Sequence, residues 1–109
     1  MKRSIFKHTA SSSLTSDYNY TTNHGLDFKL ISVGVNFENK YSGIVEVRID
    51  SGTGENYDTH ILDMRITDHN DFYFTPSNEV VCSAGDEIRV TVEANSGNTA
   101  YLTIIGEEV

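Results

Sequence analysis

The stretch "EIRVTVEANSGNTAYLTIIG", Glu87–Gly106, decides the fold. Ile88, Val90 and Val92 alternate with polar residues, and Ala100, Leu102 and Ile104 do the same after an intervening "NSGN". Alternation of period two puts one face of a strand against a core and the other in water. Two such runs around a four-residue loop containing glycine predict a hairpin. The same pattern recurs upstream. "LDFKLISVGVNFE" places Leu26, Phe28 and Leu30 in one phase and Ile31, Val33, Val35 and Phe37 in the other, which predicts a strand with a bulge near Leu30 and Ile31. "IVEVRID", "THILDMRIT", "DFYFT" and "EVVC" read as further strands, the second of them carrying Leu62, Met64 and Ile66 on one face. Turn residues in "NKYSG", "SGTGEN", "TDHND", "TPSN" and "SAGD" separate them. No segment repeats apolar residues at helical spacing over three turns. The expected fold is all-β: an antiparallel, jelly-roll-like β-sandwich of about seven or eight strands.

The length of 109 residues suits one domain. Residues 26–109 are expected to form the sandwich. Residues 1–25 are rich in Ser, Thr and Asn in "TASSSLTSDYNYTTNHG" and predict an extended polar arm, either flexible or ordered by another subunit.

Charge narrows the partners. The net charge is -8, and an acidic surface repels phosphate backbones and anionic membranes. Three of the eight basic residues, Lys2, Arg3 and Lys7, precede the first carboxylate, Asp17, so a basic arm is attached to an acidic body. Such an arm can reach a neighbouring acidic body, with Ile5 and Phe6 as apolar anchors and Tyr18 and Tyr20 as further contacts. These seven residues are the candidate partner-binding set. The start of the chain lacks the apolar run of a signal peptide, and no window approaches the ~18 apolar residues of a membrane helix.

"RIDSGTGENYDTHIL", Arg48–Leu62, crowds three carboxylates and two glycines into one loop, but calcium spacing fails there. Counted from Asp50, an EF-hand needs Gly at its sixth position and Glu at its twelfth, where this chain has Glu55 and Ile61. The loop therefore reads as a strand connection. His8, His24, His60 and His69 form no zinc-binding pair at helical spacing and have no CxxC partner, so neither a metal nor a cofactor is expected. Cys82 follows Val80 and Val81 on a strand and reads as a small buried hydrophobe rather than a nucleophile. No pair of acids stands out for catalysis among the 16. Tyr18, Tyr20, Tyr41, Tyr57 and Tyr101 keep a glycan-binding module open as the alternative, though the chain has no Trp.

Taken together, "VRIDSGTGENYDTHIL", "FYFTPSNEVVCSAGDEIRVTV" and "NSGNTAYLTIIGEE" resemble a group of small single-domain structural proteins of tailed bacteriophages. The resemblance covers residues 26–109. It implies a non-enzymatic virion component, such as a capsid decoration or cement protein or a neck or tail accessory. Its partners would be other virion proteins and further copies of itself, and it would be made in the host cytoplasm and located in the virion.

Overall fold

The computed structural model describes residues 4–54, 56 and 58–109. Among these residues seven strands make up the fold: β1 (Ile5–Ser13), β2 (Tyr18–Asn23), β3 (Phe28–Asp50), β4 (Thr59–Phe74), β5 (Val81–Cys82), β6 (Glu87–Val92) and β7 (Thr99–Glu108). All pairings are antiparallel.

The long strands explain the architecture. Over Phe28–Phe37, β3 pairs with β7, which pairs with β1. Over Val45–Asp50, β3 pairs with β6, which pairs with β2. Strand β4 follows β3 through both halves, with register shifts between Asn36 and Gly43. The two long strands thus bend from one sheet into the other, and the sheets face each other across one core. Phe28, Leu30, Val33 and Val35 meet Val45, Val47, Ile88 and Val90 in a single buried cluster. The expected bulge is present, between Leu30 and Ser32.

Three expectations are corrected. The first concerns the hairpin. Strands β6 and β7 do not pair with each other; each pairs with a different half of β3. Alternating apolar residues fit a core equally well whether two strands lie side by side or face to face. The NSGN loop is therefore a crossover between sheets, and Asn98 holds it. Its buried Oδ1 accepts from the Asn39 and Thr99 N–H groups, and its Nδ2 donates to the Asn39 carbonyl, each at 2.9 Å.

The second concerns "NKYSG" and "TDHND", expected to be turns, which lie inside β3 and β4. They are the bends at which the strands change sheet. Asp68 takes φ 58°, the left-handed region that Asp tolerates, and its N–H donates to Ser42 Oγ at 3.0 Å.

The third is the separate arm expected over residues 1–25. Strand β1 runs nine residues along β7 and β2 runs six along β6, while Leu14 between them is fully buried. The segment is too polar to form a core alone, yet as two edge strands it needs only a weak inward face. Phe6, Tyr18 and Tyr20 supply that face by packing against the cluster.

Candidate functional site

The crowded loop resolves into structural contacts. Asp50, at the end of β3, forms ion pairs with two arginines, its carboxylate lying 3.0 Å from Arg89 Nη2 and 3.2 Å from Arg48 Nε. Those two arginines are directly opposed across β3 and β6, and Asp50 offsets their repulsion. Asp58 accepts the Ser51 N–H at 2.7 Å. Asp86, from the "AGDEIRV" turn, accepts the Gly52 N–H at 3.1 Å and the Ser83 N–H at 2.9 Å. Gly52 lies so close to this turn that a Cβ there would stand 2.9 Å from the Gly85 carbonyl oxygen. Two carboxylates of the loop are thus engaged in holding the strand connection; Glu55 and Tyr57 lie outside the described residues.

A three-residue donor cluster escaped the sequence reading. Glu46, His60 and Asp63 bring one potential ligand atom each to within 4.8 Å of one another. Glu46 and Asp63 are opposed across β3 and β4, while His60 opposes Arg48. Strict alternation puts residues 60 and 63 on opposite faces, but the register shift between Val47 and Arg48 brings both outward. Imidazole and carboxylate together can ligate a divalent cation. The cluster is also accounted for without one: His60 Nε2 lies 3.2 Å from the Leu62 carbonyl oxygen, and Arg48 Nη1 lies 4.0 Å from Glu46.

The candidate partner-binding residues separate by face. Ile5 is 64% exposed and Lys7 is exposed on β1. Phe6 turns inward over Gly106 and stacks on the His24 ring with centroids 3.8 Å apart, and His24 Nε2 is 2.8 Å from Glu108 Oε2. Tyr18 and Tyr20 are half-buried, and burial, then the neighbouring Tyr20, push the Tyr18 phenol up. Lys2 and Arg3 lie outside the described residues.

Of the other tyrosines singled out in the sequence, Tyr41 is fully buried and Tyr101 is 48% exposed. Tyr73, not singled out, is 71% exposed.

Two buried acids give the fold a pH dependence. Burial, followed by the charge of Glu93, pushes the Tyr41 phenol up to about 12, and burial followed by Asp86 pushes the Cys82 thiol up to about 12. Cys82 is therefore neutral at ordinary pH and not poised as a nucleophile. Both folded values lie above the unfolded ones of 10.0 and 9.0, so above pH 9 the unfolded chain binds fewer protons than the folded one. The stabilisation is complete below pH 9 and declines as pH rises toward 12. The urea midpoint should fall between pH 8.5 and 11, and the fall should be shallower in Cys82→Ala than in the full chain.

No protein-family model and no curated protein matches this chain. Solved structures do. A chitosan-binding module from a Paenibacillus sp. IK-5 chitosanase/glucanase superposes with a TM-score of 0.63 at 13% identity, covering 90% of this chain and 74% of that one. A family 32 carbohydrate-binding module of Clostridium perfringens NanJ, solved with galactose, gives 0.58 at 12% identity over 91% and 93% of the two chains. A protein of Bacillus endospore appendages, which form disulfide-linked pili, gives 0.50 at 12% identity over 100% and 92%. At such identities the likeness is one of fold, and the fold is an antiparallel all-β sandwich shared with binding modules and with a pilus protein.

Proposed function

We propose that this chain is a non-enzymatic structural protein of a phage virion, acting through contacts with copies of itself and with other capsid or tail proteins. The observation that carries the proposal is the margin formed by β4. Among the described residues this 16-residue strand is hydrogen-bonded to β3 alone, so its other edge is open for much of its length. Met64 sits opposite buried Val45 on the inward side, yet remains 44% exposed because no strand covers it beyond β4. An open edge with an uncovered apolar residue beside it is suited to pairing with another chain. The likeness to an assembling appendage protein supports the proposal at the level of fold. Disulfide linkage is a different matter, because Cys82 is the only cysteine and is buried. Strand β1, with Ile5 and Lys7 exposed, offers a second edge.

Met64→Lys places a charge where natural edge strands use one to block pairing. The variant should sediment as a monomer under conditions where the full chain is larger, with its melting temperature changed by only a few degrees. Unchanged sedimentation of a folded Met64→Lys protein would remove β4 as the assembly edge.

A second reading, a glycan-binding module, is favoured by two exposed tyrosines on one sheet face and by the fold shared with two carbohydrate-binding modules.

A further inference from the structure

The outward face of the sheet containing β1, β7, β3 and β4 differs from the rest of this acidic surface. Cross-strand register aligns Thr9, Thr103, Gly34 and Tyr73 in one row, and Ser11, Tyr101, Asn36 and Asp71 in the next. Only Asp71 among these eight is charged, in a chain with 24 charged side chains. The two tyrosines flank β3 from either side.

Gly34 determines how Tyr73 lies. A Cβ at Gly34 would be 3.3 Å from Tyr73 Cδ2 and 3.7 Å from Cε2, so the ring leans across β3 into the space that the glycine leaves. A ring packed against backbone on one side while 71% exposed presents its other side to solvent at little further entropic cost. Hydroxyls from Thr9, Ser11 and Thr103 and the amide of Asn36 surround the two rings. Each of these groups can both donate and accept hydrogen bonds.

We propose that this face, centred on Tyr73 and Tyr101, binds the pyranose rings of a neutral glycan. A pyranose has an apolar face of C–H groups that stacks on an aromatic ring, and a rim of hydroxyls that pairs with Ser, Thr and Asn side chains. Electrostatics selects the neutral class. An anionic sugar would meet a protein of net charge -8, and two rows holding one carboxylate give a cationic one little to pair with. The inference rests on the glycan-binding reading and adds to it a location and a ligand class.

The test is a glycan array spanning neutral, anionic and cationic sugars probed with the full chain, followed by calorimetry with the neutral glycan retained most strongly. Tyr73→Ala and Tyr101→Ala should each weaken binding about tenfold. Tyr73→Phe should bind like the unaltered chain, because it keeps the ring. Thermal unfolding of each variant would establish that it is folded. Neutral-glycan binding indifferent to both alanine substitutions would overturn this site while leaving a glycan-binding module standing. Retention of a charged glycan alone would overturn the neutral class proposed for this face while leaving a glycan-binding module standing, and retention of no glycan of any class would overturn both. A lower native mass for Tyr73→Ala, with glycan binding unchanged, would make the face a protein interface and contradict the inference.

Discussion

Removing residues 1–25 is expected to abolish cooperative unfolding rather than to release a folded core. The deletion takes away β1, nine residues paired with β7, and β2, six residues paired with β6. It also removes Leu14, which is fully buried and whose N–H and carbonyl bond to Asn98 and Asn95 at 2.9 Å each. Losing one buried leucine side chain typically costs about 2–5 kcal/mol, and a whole domain holds only about 5–15 kcal/mol. Two strands and the segment joining them exceed that margin. Buried Ile104, Leu102, Val90 and Val92 would lose their neighbouring strands, exposing apolar surface and two fresh edges. Circular dichroism on heating should show no sigmoidal transition for the truncated chain. A sharp transition within a few degrees of the full chain's would mean that the N-terminal segment is a dispensable arm.

Tyr41→Ala should be the most damaging single substitution, costing about 3–5 kcal/mol. The ring is fully buried and stacks on Phe37 with centroids 4.1 Å apart. Its hydroxyl donates to the Glu93 carbonyl at 2.8 Å, tying the bend of β3 to the end of β6. The chain is shaped around this ring: a Cβ at Gly43 would stand 2.5 Å from the Tyr41 hydroxyl. Alanine would leave a cavity and an unsatisfied carbonyl at the point where β3 passes between sheets. The melting temperature should drop by roughly 15 °C or more. Tyr41→Phe keeps the ring and loses only the hydrogen bond, so it should cost about 1–2 kcal/mol. Equal losses for the two substitutions would show that the hydroxyl, not the packed ring, secures the bend.

The fold class was legible because alternation needs only local information. The inward faces of β3, β6 and β7 bury the residues that period two selects. Pairing was less legible, since Ile88, Val90 and Val92 satisfy a core whether β7 lies beside them or across from them. The N-terminal strands were hidden for a different reason. An edge strand borrows its stability from the sheet it joins, so Ala10 and Ser12 can occupy inward positions of β1 without forming an apolar pattern. Among site residues, the grouping of His60 with Glu46 and Asp63 depends on a bulge, which composition does not announce. Tyr73 was masked by the apolar look of "DFYF": Phe72 and Phe74 pack toward the core, and the tyrosine between them points out. Its platform depends on Gly34, 39 residues earlier and opposite it only in the folded sheet.

A β4 edge that is unpaired among the described residues, with Met64 exposed beside it, makes self-association the central claim, and native mass tests it most directly. Native mass spectrometry of the full chain at increasing concentration should show a defined multiple of the 12.1 kDa subunit. A single 12.1 kDa species at every concentration, with the sheet spectrum intact, would contradict it.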